Sequence, residues 1–366
     1  MIARIEPEPE RVPRCTAAVP ALATAEDLAF CRAALPRVSR TFALSIEALP
    51  EGLREAVRTA YLLCRVVDTI EDGAGLRLTD RLQLFAELER ALAGDEVDPR
   101  ALELRCRALM GAVEPDERTL CEHAGAVLRA YRALPRAQRQ AIRPWVEEMA
   151  RGMKEHVLRA GPSGRLELDS LPELERYCYF VAGTVGRLLT ELFCLVLPAA
   201  SAAERATLEE LGVSFGIGLQ LVNIVKDAAD DIARGACFLP KQLAAEAGVE
   251  LAELLAPERR GQALSVIGAL CERARHHLER AKRYTELWPL PEGAAMRLFC
   301  AVPLALALGT LDQVERGDRA LRSGPAPKMS REAVGRILGQ AARAVRSHSG
   351  LDELWQTVSS ASARSA

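Results

Sequence analysis

The chain has 366 residues, 49% of them hydrophobic, enough apolar material to bury a large core as one big helical domain or two smaller ones. Its 48 basic and 50 acidic residues leave a net charge of -2, which excludes the cationic field that gathers nucleic acid or an anionic membrane. Ten cysteines are scattered without a C-x-x-C pair, a pattern of reduced core thiols that places the chain in the cytoplasm.

Met1 to Thr24 mixes Pro, Glu and Arg without a long apolar stretch, so it is not a secretory signal. Residues 1–24 are expected to form a flexible arm, 25–346 the folded domain and 347–366 a C-terminal tail. Apolar positions at helical spacing predict helices over about 25–35 and 39–72. Thr79 is a candidate cap for a helix carrying Leu82, Phe85, Leu88 and Leu92. Further stripes run over 100–111, 115–134, 137–159, 171–198, 203–231, 258–288, 292–320 and 329–346. Pro and Gly clusters such as Gly161-Pro162-Ser163-Gly164 and Gly324-Pro325-Ala326-Pro327 separate them. No strand alternation and no internal repeat is visible, which predicts an all-α chain and argues against a solenoid. The longest apolar run, Leu298 to Leu311, has 14 residues, short of the roughly 20 that span a bilayer, so no transmembrane segment is expected.

The chemistry concentrates in two acidic clusters, Asp68-Thr69-Ile70-Glu71-Asp72 and Asp227-Ala228-Ala229-Asp230-Asp231. In each, the outer aspartates stand four apart and share one helix face. The stripes continue back through Tyr61 and Arg65 in the first, and through Gln220 and Asn223 in the second. Leu62, Val66, Val222 and Val225 fill the remaining faces. One such stripe reads equally well as a solvated face; two of the same kind point to a lined cavity. Buried carboxylates repel one another and lose hydration, and a hard divalent cation is their natural counter-charge.

In 171–198, Tyr177, Phe180, Val181, Thr184 and Leu188 form one stripe, while Ala182, Gly183 and Gly186 permit close backbone approach. Tight helix packing and the wall of a long apolar pocket are both open readings, with Phe215, Phe299 and Pro303 as extensions of the wall. Gly216-Ile217-Gly218 lacks the third glycine and the preceding strand of a dinucleotide fingerprint. The histidines show no H-E-x-x-H pattern, and Ser39 and Ser45 have no hydrolase signature beside them. What remains is an oxygen-only cation site facing Arg40, Arg65 and Lys226. Oxygen donors suit magnesium, which completes its octahedron with water and substrate phosphate. Such a site stabilises a diphosphate leaving group, and the allylic cation left behind needs a dry cavity with aromatic faces, for which Tyr61, Tyr177, Phe42 and Phe180 are candidates.

Ser39-Arg40-Thr41-Phe42, Tyr61 through Asp72, Tyr177-Cys178-Tyr179-Phe180-Val181-Ala182-Gly183, Gln220 through Asp231, and Phe299-Cys300-Ala301-Val302-Pro303 together resemble the squalene/phytoene synthase family, and within it the squalene synthase branch. The resemblance implies an all-α isoprenoid synthase fold, a single large helical domain around a central apolar cavity. It implies head-to-head condensation of two farnesyl diphosphates through presqualene diphosphate, then reduction by NADPH to squalene. Asp68, Glu71, Asp72, Asn223, Asp227 and Asp231 would hold Mg2+, with Asp68, Asp72, Asp227, Asp231, Tyr177 and Tyr61 as the catalytic set. Ser39, Arg40, Phe42, Arg65, Val181, Gln220, Phe299, Cys300 and Pro303 would bind substrate; Arg40, Arg65, Lys328 and Arg331 would meet NADPH.

The chain departs from the family in two places. Gly235-Ala236-Cys237-Phe238-Leu239-Pro240 carries Ala236 where the family flap has Arg, and the basic pair expected near NADPH is kept only as Lys328 with Arg331. A phytoene or dehydrosqualene synthase, which omits reduction, is the alternative within the family; a non-catalytic prenyl-diphosphate-binding or adaptor protein is the alternative outside it. Greasy substrates imply peripheral contact with the inner membrane face.

Overall fold

A computed structural model describes residues 23–94, 98–233, 235–316, 321, 329–347 and 349–361, and among them there are helices and connections but no strand. Thr24 and Asp27 cap α1 (Ala25–Val38) reciprocally, each side chain accepting from the other's backbone amide. Asp27 also accepts from Arg129 at 2.7 Å. Ser39 leaves helical geometry at φ −159°, ψ 107° and caps α2 (Arg40–Glu47) by accepting from the Phe42 amide. Pro50, with no N–H to donate, precedes α3 (Glu51–Asp72). The stretch read as one helix over 39–72 is therefore two.

Next come α4 (Leu78–Ala93), α5 (Arg100–Leu109), α6 (Pro115–Glu122) and α7 (Ala124–Ala133). His123, at φ −118°, ψ 24°, divides the expected helix over 115–134. After α8 (Arg136–Ala160), α9 (Leu171–Cys178) runs through a π-helical turn at Tyr179–Gly183 into α10 (Thr184–Val196). The chain then forms α11 (Ala202–Ala233), a short α12 (Lys241–Glu246), α13 (Arg260–Leu287), α14 (Ala294–Arg316), α15 (Arg331–Ala344) and α16 (Gly350–Ala361).

The last helix corrects the expectation of a tail over 347–366. Leu351, Leu354 and Val358 are buried, α16 packs on α14 and α15, and Asp352 pairs with Lys282 of α13. Its apolar positions lie three and four apart, a one-sided helix that is stable only when that side is covered.

The centre of the fold is α11, which packs along α13, α10 and α14, while α8 bridges α3, α4 and α10. Small residues set the contact between α10 and α11. A Cβ on Gly186 would fall 1.9 Å from the Gly212 carbonyl oxygen, and one on Gly216 would fall 2.1 Å from that of Ala182. Gly216 and Gly218 thus serve helix packing and not a nucleotide. Arg297, only 3% exposed, closes the far end by donating to the carbonyls of Trp288 and Glu286 at 2.6 and 2.7 Å, satisfying acceptors left over at the end of α13.

The absence of a spanning segment, inferred from a single apolar run, does not follow from helix length. Leu171–Val196, Ala202–Ala233 and Ala294–Arg316 are long and apolar enough to cross a membrane by length and composition, and each buries 50 to 67% of its apolar window inside the fold. An unbroken apolar run is a stricter measure than helix length, because charged residues such as Glu191 and Arg297 interrupt the run without ending the helix.

Candidate active site

Both acidic clusters sit at helix C-termini. Gly73 ends α3 immediately after Asp72, and α11 ends two residues beyond Asp231. A helix C-terminus carries the negative end of the helix dipole, so carboxylates at these positions deepen a negative potential. The two ends meet across a chamber of about 500 Å³ lined by Glu71 and Asp72 on one side and Asp227 and Asp231 on the other. Tyr177, His156, Arg81 and Phe238 complete much of its wall.

Burial lifts the Glu71 carboxyl well above the usual carboxylate range, with the Asp72 and Asp68 charges adding to it. Asp72 lines the chamber as a solvent-exposed residue, and loss of hydration within the acidic cluster pushes its carboxyl up to about 6, with the Asp68 and Asp231 charges also contributing. Asp68 is raised by burial, although Arg65 donates to it at 2.9 Å and opposes the shift. Lys226 pairs with Asp227 at 2.6 Å. Glu71 and Asp72, the chamber carboxylates raised in this way, are therefore under-compensated, which suits a cation. Among the described residues no three His, Cys, Asp or Glu side chains gather closely enough to hold an ion alone. Magnesium fits that arrangement, because it takes one or two carboxylates and fills the rest of its octahedron with water and phosphate.

Tyr177 stacks on Phe238 with ring centroids 5.0 Å apart. Burial, then the charges of Glu71 and Asp72, holds its hydroxyl protonated well above the usual phenol range. The same burial keeps His156 neutral, pushing its imidazole down to about 4.

A second, apolar chamber of about 210 Å³ adjoins the first, and Gln220 and Asn223 line both. Its walls include Phe42, Tyr61, Val181, Phe299, Cys300 and Pro303, with Arg65 and Asp68 at the acidic end. Phe42 lies 5.2 Å from the Tyr61 ring and 6.4 Å from Phe299. Burial raises Tyr61 to about 12 against the opposing Arg65 charge and a hydrogen bond with Ser39. Both readings of 171–198 hold: the glycines pack against α11, and Val181, Val185 and Leu189 line the cavity.

Not every expected residue comes to these walls. Arg40 opens α2 with an exposed side chain and lines neither chamber. Ser39 acts as the α2 cap and as a partner of Tyr61. Phe180 turns away from the cavity onto Gly152, where a Cβ would fall 2.1 Å from its ring. Arg331 is the first residue of α15, and Lys328 lies outside the described residues. Sequence reasoning missed His156, Arg81 and Glu117, which pairs with Arg65. Each stands on a helix without an acidic motif, so no local pattern marked it.

The family model described as squalene/phytoene synthase matches residues 35–333. The chain belongs to the squalene/phytoene synthase family. It is 30% identical over 299 residues to the squalene synthase of Eremothecium gossypii, covering 81% of this chain and 64% of that protein. It is 29% identical over 289 residues to that of Schizosaccharomyces pombe, with coverages of 78% and 59%. The chain thus spans about three fifths of these relatives' own length. Solved structures with the same fold include TcSQS with the ligand BPH1237, at TM-score 0.74 and 24% identity, covering 92% of this chain and 99% of that one. A dehydrosqualene synthase with a ligand follows at TM-score 0.60 and 21% identity, with coverages of 87% and 96%. The all-α fold read from the sequence is the isoprenoid synthase fold of these neighbours.

Proposed function

We propose that the chain is a magnesium-dependent prenyltransferase of squalene synthase type, joining two farnesyl diphosphates head to head through presqualene diphosphate and reducing the product with NADPH to squalene. The observation that carries this reading is an acidic chamber set beside an apolar one, with Gln220 and Asn223 lining both. A molecule with a charged head and a long hydrocarbon tail fits that division.

Asp68, Glu71, Asp72, Asp227 and Asp231, with the Asn223 amide, are the oxygen donors that would hold magnesium against the diphosphate. Bound magnesium supplies the positive charge that lowers the cost of diphosphate departure. Arg65 trades part of its contact with Asp68 and Glu117 for diphosphate oxygen, a charge-assisted bond that orients the leaving group. The apolar wall of Phe42, Val181, Phe299, Cys300 and Pro303 excludes water from the allylic cation. Tyr61 and Tyr177 present aromatic faces to it, and Tyr177, a protonated phenol facing the acid cluster, is placed to hold or hand over a proton.

Reduction by NADPH rests on relatives named squalene synthase. The alternative that stops at dehydrosqualene or phytoene draws on the basic pair near NADPH being kept only as Lys328 with Arg331, whereas Ala236, which lines the acidic chamber without the positive charge of the family Arg, favours a non-catalytic diphosphate binder. Incubation with farnesyl diphosphate and Mg2+, with and without NADPH, separates the two enzymatic readings. Squalene formed only with NADPH supports the first reading, dehydrosqualene in both arms the second, and no condensation product rejects both.

Contact with the inner membrane face is read as peripheral, because the three long apolar helices bury 50 to 67% of their apolar windows in the fold. Nine free cysteines among the described residues suit the reducing cytoplasm.

A further inference from the structure

His156 lies on the inner face of α8 and takes no part in the reading above. It is 8% exposed, and its Nδ1 is buried without a hydrogen-bond partner. The ring lines the acidic chamber, and Nδ1 stands 4.0 Å from Glu71 Oε1. Tyr177 and Phe180 hold the imidazole from two sides, with centroids 4.9 and 5.8 Å away, so its direction is fixed by packing. A buried polar atom left unpaired costs on the order of 1–3 kcal/mol, and a bound ion or water aimed at it is one way that cost is met.

A cation bonded to both atoms explains the spacing. With metal–nitrogen and metal–oxygen bonds of about 2.1 Å, two ligands of one octahedral ion lie about 3.0 Å apart when adjacent and about 4.2 Å when opposite. The separation of 4.0 Å is close to the opposite placement, with the ion standing between the two atoms. The five residues read from the acidic motifs are oxygen donors, whereas an imidazole nitrogen is softer and favours manganese, cobalt or other first-row ions over magnesium.

We propose that His156 Nδ1 is a nitrogen ligand to a divalent cation shared with Glu71, so that the chamber takes a borderline first-row cation, manganese or cobalt, more tightly than an all-oxygen site would. This rests on the acidic chamber being a cation site. The test uses Mn2+ as the probe, titrated into the full chain with inorganic diphosphate and read by pulsed electron paramagnetic resonance. The expected spectrum shows a directly bound imidazole nitrogen, whose coupling changes when the protein carries 15N-histidine. The coupling disappears in His156→Phe and in His156→Gln, and their Mn2+ affinity falls by about tenfold or more while Mg2+ affinity changes far less. Bound Mn2+ with oxygen and phosphorus couplings alone overturns the nitrogen ligand and leaves the acidic cation site standing. Nitrogen coupling that survives in both variants also overturns it. No bound Mn2+ overturns the proposal and the cation site together.

Discussion

Gly186 and Gly212 face each other so closely that a Cβ on the first would stand 1.9 Å from the carbonyl oxygen of the second. This contact sets the distance between the helix that lines the apolar chamber and the helix that carries the second acidic cluster. Gly186→Ala must push α10 and α11 apart. The expected result is a loss of about 1–3 kcal/mol or more in urea unfolding, together with weaker activity. Wild-type stability in that variant would show that the two backbones are not in contact.

Asp72 is raised by loss of hydration within the acidic cluster and by like charges, so its ionised form works against the apo fold. A raised carboxyl stabilises the fold below its unfolded value of 3.8, and that contribution is lost as pH rises through about 6. Asp72→Asn is therefore expected to melt higher than wild type at pH 8 in EDTA while losing about 10²-fold or more in turnover. Differential scanning fluorimetry and the product assay read the two effects separately.

Glu175 behaves in the opposite sense. Beside the His277 imidazole, 3.5 Å away, and the Arg273 guanidinium, its carboxyl is held down to about 2. Arg280 donates to Ser214 Oγ at 2.9 Å, leaving the Ser214 hydroxyl to donate to His277 Nδ1 at 2.7 Å and His277 Nε2 to carry its proton toward Glu175. A depressed carboxyl stabilises the fold above its unfolded value of 4.5, and this is lost as pH falls toward 2. Glu175→Gln should cost about 2 kcal/mol at pH 7 and flatten the loss of stability between those pH values. A denaturation series from pH 7 to pH 2 shows whether the acid limb changes.

Ala236 lines the acidic chamber, so a longer cationic side chain there reaches the same space as a diphosphate. Ala236→Arg is expected to tighten inorganic diphosphate by about tenfold in calorimetry with Mg2+ present. Unchanged affinity would mean that the flap does not touch the anion.

The acidic stripes were legible because their message is local: carboxylates four apart on an apolar helix describe a face whatever the rest of the chain does. Tyr61, Arg65 and Asp68 could be grouped for the same reason, and so could Gln220 with Asn223. Helix breaks at His123 and Ala48-Leu49-Pro50 were hidden because the apolar period continues across them. His156 and Arg81 were invisible because only tertiary packing brings their helices to the chamber, and Glu117 because only packing brings it to Arg65. Arg40 was misplaced for a related cause: its neighbour Ser39 turns the backbone to cap α2, and the guanidinium points outward. For α16, a short apolar stripe near the chain end reads as a tail until α14 and α15 are seen to cover it.

The widened turn at Tyr179–Gly183 holds one residue more than an ordinary helical turn accommodates. Tyr177, before it, faces the acids, while Val185 and Leu189, beyond it, face the hydrocarbon side. Excising a single residue from that turn would rotate everything downstream by about 100° and swing those aliphatic side chains off the lining. The extra residue works as a gear, keeping a proton-bearing phenol and a hydrocarbon ruler in step on one continuous rod.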